Sequence, residues 1–279
     1  MIASDFIYCR PDTLKEAATV YAKLAGEGKS PVYYGGGSEI ITMSRAGSIA
    51  PGAVIDLKSI PECKVLEQNG AALMIGGAVT LRSIRESKLF PLLGAAAGRI
   101  ADHTNQCRIT LGGNLCGTIR YREASLPLML TDAEVVLYGS GGERKASMLT
   151  IFRERMRLLP GEFICGVNID ARYLYAPFMH IKKTANEKID YPLVNVSAII
   201  IDGRIRAAFS GLCAFPFRSM EIEAVLNDKT ASISSRIDKA ADLLPAPALA
   251  DAEGLSQYRI FVLKNTLCNV LERLRHDFK

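Results

Sequence analysis

The start of the chain combines one amphipathic segment with short apolar runs. Hydrophobic residues recur every three or four positions over residues 13–25, and apolar runs follow over residues 31–34 and 53–57. The first spacing is typical of a helix that buries one face, with Asp12 or Thr13 as its N-cap, and the short runs are typical of buried strands. The chain is therefore predicted to open with a helix followed by two strands.

The middle of the chain repeats this mixture. Its apolar patterns predict strands over residues 72–76, 133–138 and 163–169 and helices over residues 81–87 and 92–102. Thr80 precedes the first of these helices as an N-cap, and the Gly-Ser-Gly-Gly sequence at residues 139–142 predicts a turn.

The last part of the chain contains a hairpin pattern followed by three helical patterns. Apolar runs over residues 194–201 and 205–212 flank Asp202-Gly203, a dipeptide that supplies the positive φ angles of a tight hairpin turn. The helices are predicted over residues 218–226, 232–244 and 256–276. We therefore predict an α+β fold with a domain boundary near residues 170–177.

Composition and charge exclude several classes of protein. The chain has 279 residues, a formal net charge of +5 and 49% hydrophobic residues, as expected of a folded globular protein. Its charges are interspersed, so no clustered basic surface for nucleic acid is predicted. No apolar run is long enough to cross a membrane and the N-terminus lacks a signal pattern, so we expect no membrane partner and a cytoplasmic location.

The cysteines and histidines do not predict a metal site. The seven cysteines are scattered without a C-x-x-C pair, which argues against a disulfide framework, a zinc finger or an iron–sulfur cluster. Most of them are expected to be small buried residues. The histidines His103, His180 and His276 also lack the spacing of metal ligands.

The sequence Tyr34-Gly35-Gly36-Gly37-Ser38 directly follows a predicted strand. Consecutive glycines allow several backbone N–H groups to converge on one anionic oxygen, which suits a phosphate or a pyrophosphate. The spacing matches neither a P-loop nor a Rossmann turn. A tight turn at the end of a strand is the alternative interpretation of this motif.

A second glycine pair lies in Thr110-Leu111-Gly112-Gly113-Asn114. The glycines allow a close backbone approach, and the threonine and asparagine add hydroxyl and amide groups that form hydrogen bonds. Two such loops in separate halves of one domain suit a long ligand such as a dinucleotide, although a turn explains the second loop as well. The spacing alone does not show that the loops meet in space.

Six segments, taken in order, resemble the flavoprotein (medium) subunits of molybdenum hydroxylases, such as those of xanthine dehydrogenase and carbon monoxide dehydrogenase. The segments are VYYGGGSEI (32–40), VIDLKSIPE (54–62), LMIGGAVTLRSI (73–84), TLGGNLCG (110–117), TDAEVVLYG (131–139) and LPGEFICGVNI (159–169). Residues 189–219 resemble the C-terminal domain of the same family. The resemblance therefore covers nearly the whole chain.

The resemblance implies a fold and a cofactor. It implies an FAD-binding domain of the vanillyl-alcohol oxidase (PCMH) type over residues 1–171, with subdomains of about 1–57 and 58–171. A C-terminal domain of a small antiparallel sheet with helices is implied over residues 172–279. In this family the first glycine loop cradles the FAD pyrophosphate, and the second motif also touches FAD.

The implied cofactor-binding residues follow from these motifs. They are Tyr34, Gly35, Gly36, Gly37, Ser38, Glu39, Ile40, Thr80, Thr110, Leu111, Gly112, Gly113 and Asn114. Asp56 and Thr80 border the adenosine half of the site in the family, although both residues also suit helix capping.

The sequence departs from the family after the second motif. Members carry an acid that hydrogen-bonds the cofactor, and here Glu123 is the candidate, with Ser125 as the other alignment. A solvated acid paired with Arg120 or Arg122 is the alternative for Glu123. Members also carry a basic and an aromatic residue before the C-terminal sheet. The candidates are Lys182, Lys183 and Tyr191, which otherwise are ordinary surface and turn residues.

The resemblance implies an oxidoreductase subunit. It would pass electrons from [2Fe–2S] clusters on one partner subunit through FAD to NAD⁺ or another acceptor, while a molybdopterin subunit hydroxylates an N-heterocycle such as a purine. No catalytic acid or base is assigned to this chain. The alternatives are a self-contained flavin oxidoreductase resembling UDP-N-acetylenolpyruvylglucosamine reductase and a module that has kept the fold and lost FAD.

Overall fold

A computed structural model describes residues 5–187 and 189–276. The first and last residues of the two predicted domains, 1–4 and 277–279, lie outside the described residues. The first unit contains β1 (Ile7–Cys9), α1 (Leu14–Gly26), β2 (Pro31–Tyr34), α2 (Ser38–Arg45) and β3 (Ala53–Asp56). The three strands form a parallel sheet in the order β1-β3-β2.

The predicted opening of a helix and two strands is incomplete. Strand β1 precedes the helix, and α2 lies between the two predicted strands. The helix itself is confirmed, because Thr13 accepts a hydrogen bond from the amide of Glu16 at 3.1 Å and Leu14, Ala17 and Leu24 are buried. Strand β1 carries an exposed apolar run at the edge of the sheet, so its sequence lacks the alternation that marks a half-buried strand.

The second unit is built around a five-stranded antiparallel sheet. Its elements are β4 (Leu66–Asn69), β5 (Ala72–Gly76), α3 (Leu81–Ser87), α4 (Pro91–Ala97), α5 (His103–Gln106), α6 (Leu111–Cys116), α7 (Ser125–Leu130), β6 (Glu134–Gly139), β7 (Gly142–Ser147), α8 (Met148–Ile151), β8 (Phe152–Arg153), β9 (Arg155–Met156) and β10 (Phe163–Asp170). The sheet order is β4-β5-β10-β6-β7. The predicted helix over 92–102 is too long, since α4 ends at Ala97 and Ala101 has a φ of +53°.

The third unit places helices on one face of a four-stranded antiparallel sheet. Its elements are β11 (Phe178–Thr184), β12 (Pro192–Ile201), β13 (Arg204–Ser210), β14 (Phe217–Arg218), α9 (Met220–Leu226), α10 (Ile233–Asp242) and α11 (Ser256–His276). The predicted hairpin is confirmed, with φ angles of +51° at Asp202 and +71° at Gly203. Arg218 belongs to β14, so the helix predicted from residue 218 begins at Met220.

Strand β12 is buried along its whole length because both faces of its sheet are covered. Ile199 and Ile201 pack into the core of the second unit, whereas Val194 and Val196 pack against the C-terminal helices. The third unit thus buries apolar area on both sides of one sheet. None of the helices in the described part of the chain is both long and apolar enough to span a bilayer.

Candidate cofactor site

The first glycine motif connects the end of β2 to the start of α2. Gly37 is the N-cap of α2 and has a φ of +73°, in the left-handed region that favours glycine. A Cβ at this position would also collide with the ring of Tyr34. Lys58 fixes the loop from the other side, because its Nζ donates a hydrogen bond of 2.9 Å to the carbonyl of Gly35.

Helix α2 begins without a side-chain cap at Gly37. The first amides of a helix have no acceptor within the helix, and they carry the positive end of its dipole. The hydroxyl oxygen of Ser38, at the first helical position, is buried without a hydrogen-bond partner. A buried polar atom of this kind is costly unless a ligand or water satisfies it. This loop therefore fits an anionic oxygen such as that of a pyrophosphate.

The second glycine motif uses its amides within the protein. Thr110 caps α6, since its Oγ1 accepts a hydrogen bond from the amide of Gly113 at 3.2 Å. The amide of Gly112 donates to the carbonyl of Gly77 at 2.8 Å. A Cβ on Gly112 would lie 2.9 Å from that carbonyl oxygen, so the close backbone approach predicted here is an approach to Gly77.

Two other residues of the second motif point inward. Leu111 is fully buried in the core of the second unit. Asn114 is also buried, and its Oδ1 accepts a hydrogen bond of 3.1 Å from the amide of Ala124. Asn114 thus connects α6 to the segment before α7.

The two glycine motifs meet in space. Gly35 lies so close to Thr110 that a Cβ would overlap its hydroxyl oxygen, and a Cβ on Gly36 would overlap the carbonyl of Arg108. Thr80 adjoins the same junction, because it pairs with Thr110 in an isolated antiparallel bridge. Thr80 also caps α3, as predicted, by accepting a hydrogen bond from the amide of Ser83 at 3.1 Å.

A cleft between the first and second units passes both motifs. It encloses about 210 Å³ and is lined by Tyr33, Gly35, Leu57, Gly77, Ala78, Thr110, Gly112, Gly113, Cys116, Leu158, Glu162, Phe163 and Ile164. Tyr33 forms its aromatic wall, with ring centroids 4.8 Å from Tyr21 and 4.6 Å from Phe163. The sequence analysis did not predict Tyr33, Phe163 or Gly77 as site residues. Gly77 had a signal in the sequence, because Gly76-Gly77 is a glycine pair like those of the two motifs.

Tyr34 and Ile40 line a second cavity, of about 270 Å³, on the other side of the first loop. Asp56 lies in its wall and accepts hydrogen bonds from Tyr8 at 2.6 Å and from Lys58 Nζ at 2.8 Å. Burial raises the pKa of Asp56, but the hydrogen bonds from Lys58 and Tyr8 outweigh burial and hold the pKa below its usual range. Asp56 also caps the short 3₁₀ helix that follows it, which agrees with the capping role considered above.

Glu39 connects the first turn of α2 to the segment after α6. Its Oε1 accepts a hydrogen bond of 2.7 Å from the amide of Thr118 and another from the hydroxyl of the same residue. A Cβ on Gly117 would lie only 2.6 Å from Glu39 Oε2, so the carboxylate packs closely against this glycine. The carboxylate in the first turn of α2 is thus held by Thr118.

Glu123 and Lys182 form a buried ion pair at the junction with the third unit. Lys182 Nζ lies 2.8 Å from Glu123 Oε1, and Asn195 donates a hydrogen bond of 2.6 Å to Oε2. Burial raises the pKa of Glu123, against the opposing effect of Lys182. The solvated acid paired with Arg120 or Arg122 is therefore wrong for Glu123. Lys182 is likewise buried within β11 and is not a surface residue.

The remaining candidates surround this pair. Ser125 is fully buried, and its hydroxyl has no hydrogen-bond partner. Lys183 is exposed. Tyr191 is half-exposed and stacks on Tyr121 with ring centroids 4.8 Å apart. None of these residues lines the cleft between the first two units.

Histidines and cysteines form no metal centre in residues 5–187 and 189–276. His103 begins α5, whereas His180 is half-buried and contacts Ser197 Oγ at 3.0 Å through Nδ1. The side chain of His276 lies outside the described part of the chain. The expectation that most cysteines are buried is wrong. Three of the seven are buried and Cys116 is exposed.

Comparison with known proteins identifies the family. A family model described as the FAD binding domain in molybdopterin dehydrogenase matches residues 4–170, more than half of the chain. The chain therefore belongs to the FAD-binding medium subunits of the molybdenum hydroxylases, and its cofactor is FAD. It is an oxidoreductase subunit of that family.

Curated relatives and solved structures agree with this assignment. The carbon monoxide dehydrogenase medium chain of Hydrogenophaga pseudoflava is 27% identical over 52% of this chain and 50% of that relative. Caffeine dehydrogenase subunit beta of Pseudomonas sp. (strain CBB1) is 22% identical over 97% of this chain and 96% of that relative. The chain also resembles a structure of quinoline 2-oxidoreductase from Pseudomonas putida 86, with a TM-score of 0.84 and 22% identity over 98% of each chain.

A structure of carbon monoxide dehydrogenase from Hydrogenophaga pseudoflava is similar as well, with a TM-score of 0.85 and 22% identity over 96% of each chain. These likenesses establish the fold. The residues of the first loop fit FAD, because the orphaned hydroxyl of Ser38 and the uncapped terminus of α2 are suited to a diphosphate.

Proposed function

We propose that this chain is the electron-transfer subunit of a molybdenum hydroxylase complex. It receives electrons from [2Fe–2S] clusters on one partner subunit and delivers them through FAD to NAD⁺ or another acceptor. A molybdopterin subunit supplies the electrons by oxidising its substrate. The observation that carries the proposal is the unsatisfied hydroxyl of Ser38 at the uncapped start of α2, in a chain of this FAD-binding family.

The residues of the chain bind and orient the cofactor in this proposal. When bound, FAD supplies the redox chemistry, since it exchanges both electron pairs and single electrons. Ser38 and the first amides of α2 hold the diphosphate, and the cleft that passes Gly35 and Gly113 receives the rest of the molecule. Residues 1–171 then form the cofactor domain and residues 172–279 the C-terminal domain.

Binding is tested by titrating FAD into the flavin-free chain. Ser38→Ala removes the orphaned hydroxyl, so we expect weaker FAD binding, by roughly tenfold for one hydrogen bond to a charged group, without a loss of thermal stability in the flavin-free chain. Ser44→Ala is a matched control, because Ser44 is also in α2 and also has a buried hydroxyl without a partner. Equal FAD affinity of Ser38→Ala and Ser44→Ala would show that the Ser38 hydroxyl does not bind FAD. Failure of the folded wild-type chain to bind FAD, even with its partner subunits, would favour the module that has lost FAD.

Electron transfer is tested on the complex purified with its partner subunits. The complex is reduced with a stoichiometric amount of dithionite and then mixed rapidly with NAD⁺ or a quinone acceptor. We expect reoxidation of the iron–sulfur clusters to require FAD, so that a flavin-depleted complex reoxidises far more slowly until FAD is restored. Reoxidation at an equal rate without flavin would contradict the proposed path. Turnover of a substrate by the isolated chain would favour the self-contained flavin oxidoreductase.

A further inference from the structure

Three exposed arginines lie on a short hairpin of the second unit. Strands β8 and β9 pair Phe152 with Met156 and Arg153 with Arg155. Phe152 and Met156 are buried, whereas Arg153 and Arg155 are exposed on the other face of the hairpin. Arg157, the next residue after β9, is exposed as well. We call β8, β9 and this residue the arginine hairpin.

The positive charges of the arginine hairpin lack a counter-ion within the protein. No carboxylate among the described residues, including that of Glu154 at the turn, forms an ion pair with Arg153, Arg155 or Arg157. Like charges directly opposite each other in two paired strands are destabilising, and Arg153 and Arg155 are such a pair. A bound anion relieves this repulsion, and guanidinium groups match the geometry of carboxylates especially well.

The turn of the arginine hairpin is held in place by Arg122. The guanidinium of Arg122 donates hydrogen bonds of 2.7 Å to the carbonyl of Glu154 and 2.6 Å to the carbonyl of Gly117. Glu154 has a φ of +63°, which residues other than glycine adopt rarely. The amide of Arg157 also donates to the carbonyl of Ile151 at 2.9 Å. The exposed arginines therefore stand on a fixed support, which lowers the entropic cost of binding a partner.

The arginine hairpin adjoins the cofactor cleft. Strand β9 packs against α6, the helix of the second glycine motif. Leu158, which directly follows the hairpin, lines the cleft. Leu159 comes next, and its side chain is 60% exposed. A molecule bound to the arginines and to Leu159 therefore lies next to the cleft.

The shape and the chemistry of the hairpin favour a protein partner. Small-molecule sites are concave, whereas Arg153, Arg155 and Arg157 line neither of the two cavities described above. Permanent subunit interfaces are large and apolar, while transient electron-transfer contacts are small. Complementary charges speed the encounter in such transient contacts. Three unpaired arginines beside one exposed leucine fit the transient class.

We propose that the arginine hairpin is the docking surface for an acidic one-electron carrier protein, which accepts electrons from this chain. Carboxylates of the carrier bind Arg153 and Arg155, and apolar surface of the carrier contacts Leu159. The inference rests on the proposed electron-transfer function. Two carrier molecules take one electron each from FADH₂, which leaves FAD and two protons.

Docking is tested by cross-linking the full chain to cytochrome b5, an acidic haem protein that serves as the probe. Arg155→Lys keeps the positive charge and adds a primary amine, which a carbodiimide joins to a carboxylate in direct contact. We expect a cross-linked peptide that contains residue 155. Arg204→Lys is the matched control and should give no cross-link at residue 204, because Arg204 is an exposed arginine at the turn of a different hairpin. Equal cross-linking at the two positions, or none at residue 155, would overturn the proposal.

Electron transfer is tested with the complex, reduced by a stoichiometric amount of dithionite and then mixed with cytochrome b5 or with basic cytochrome c. Arg153→Glu combined with Arg155→Glu should slow the reduction of cytochrome b5 by about tenfold or more at low ionic strength. The difference from wild type should shrink at high salt. The neutral pair Arg153→Gln and Arg155→Gln should give a smaller decrease in the same direction.

Reduction of cytochrome c, in contrast, should not slow in these variants, and Arg204→Glu should reduce both cytochromes as the wild type does. Thermal unfolding and FAD titration of each variant show that its fold and its cofactor site are intact. An equal rate of cytochrome b5 reduction in wild type and in the Arg153→Glu, Arg155→Glu variant would contradict the proposal.

Two further results would assign the hairpin to another partner and overturn the proposal. Loss of complex assembly in the Arg153→Glu, Arg155→Glu variant would make the hairpin a subunit interface. Binding of a single-stranded DNA oligonucleotide that this variant loses would make it a nucleic-acid site. The cross-link needs neither flavin nor partner subunits. A protein that cross-links at residue 155, in a complex that reduces neither cytochrome, would therefore contradict the electron-transfer function while supporting the acidic docking site.

Discussion

Gly35 and Thr110, one from each glycine motif, lie in direct contact across the cleft between the first two units. The hydroxyl oxygen of Thr110 occupies the position that a Cβ on Gly35 would take. The same hydroxyl caps α6 by accepting the amide of Gly113. One atom therefore both starts a helix and sets how closely the two halves of the cofactor site approach.

This contact predicts a rescue between two substitutions. Gly35→Ala should destabilise the chain by about 1–3 kcal/mol, because an added methyl group overpacks a rigid contact. Thr110→Ala alone should cost about 1 kcal/mol through the loss of the helix cap. The double variant should lose less stability than the two single variants lose in sum. Urea denaturation of the wild type, both single variants and the double variant measures this difference. Strict additivity would show that Gly35 and Thr110 do not constrain each other.

The buried pair of Glu123 and Lys182 predicts a strong asymmetry between single and double substitutions. Glu123→Ala leaves the ammonium of Lys182 buried without its carboxylate and should cost about 3–5 kcal/mol. Replacing both residues, as in Glu123→Leu with Lys182→Met, should cost much less, because no buried charge remains. Equilibrium unfolding in urea compares the two. A double variant less stable than either single variant would contradict this explanation.

His180 predicts a pH dependence of stability. Burial and the charges of Arg99 and Lys182 lower its pKa to about 3. Between that value and the ordinary pKa of about 6.5, the unfolded chain binds a proton that the folded chain does not. Stability should therefore fall as the pH drops below about 6.5, with a slope of up to about 1.4 kcal/mol per pH unit from this residue.

The measurement is urea denaturation from neutral pH downward in the wild type and in His180→Gln. The difference between the two chains isolates the histidine from the carboxylates, which titrate in both. His103→Gln serves as the control, since His103 is exposed at the start of α5. The same slope of stability against pH in wild type and His180→Gln would mean that His180 binds its proton equally well in the folded and the unfolded chain.

Arg259 predicts a large loss of stability on truncation. Its guanidinium is fully buried and donates to the carbonyls of Pro192, Leu193 and Gly211 at 3.1, 2.8 and 2.6 Å and to Asp251. Arg259→Met removes these hydrogen bonds and the ion pair with Asp251, and should cost on the order of 3 kcal/mol or more. Arg259→Lys should recover part of this loss.

Thermal and urea unfolding measure the effect of these Arg259 variants. Arg82→Met is the comparison, because Arg82 forms an exposed ion pair with Glu86 within one helix. That substitution should change stability by less than about 0.5 kcal/mol. Similar losses for Arg82→Met and Arg259→Met would show that the buried carbonyl contacts do not determine the effect.

Local patterns predicted much of the fold. Helix α1, strand β2 and the hairpin of β12 and β13 follow from spacing, capping and a turn dipeptide, which depend on neighbours in the chain. Strand β1 was missed because it is an edge strand whose apolar residues stay exposed. Helix α2 was missed because three glycines precede it in place of a polar cap.

The sequence by itself determined that two glycine motifs exist and that the first follows a strand, and glycine is the residue best suited to the positive φ at position 37. Only the tertiary structure decided what each motif does. The amides of the second motif are satisfied by Thr110 and Gly77, whereas the first motif begins an uncapped helix at Ser38. The reason is physical. A donor is available to a ligand only when no other part of the chain reaches it, and the long-range contact between Gly112 and Gly77 forms only when the chain folds.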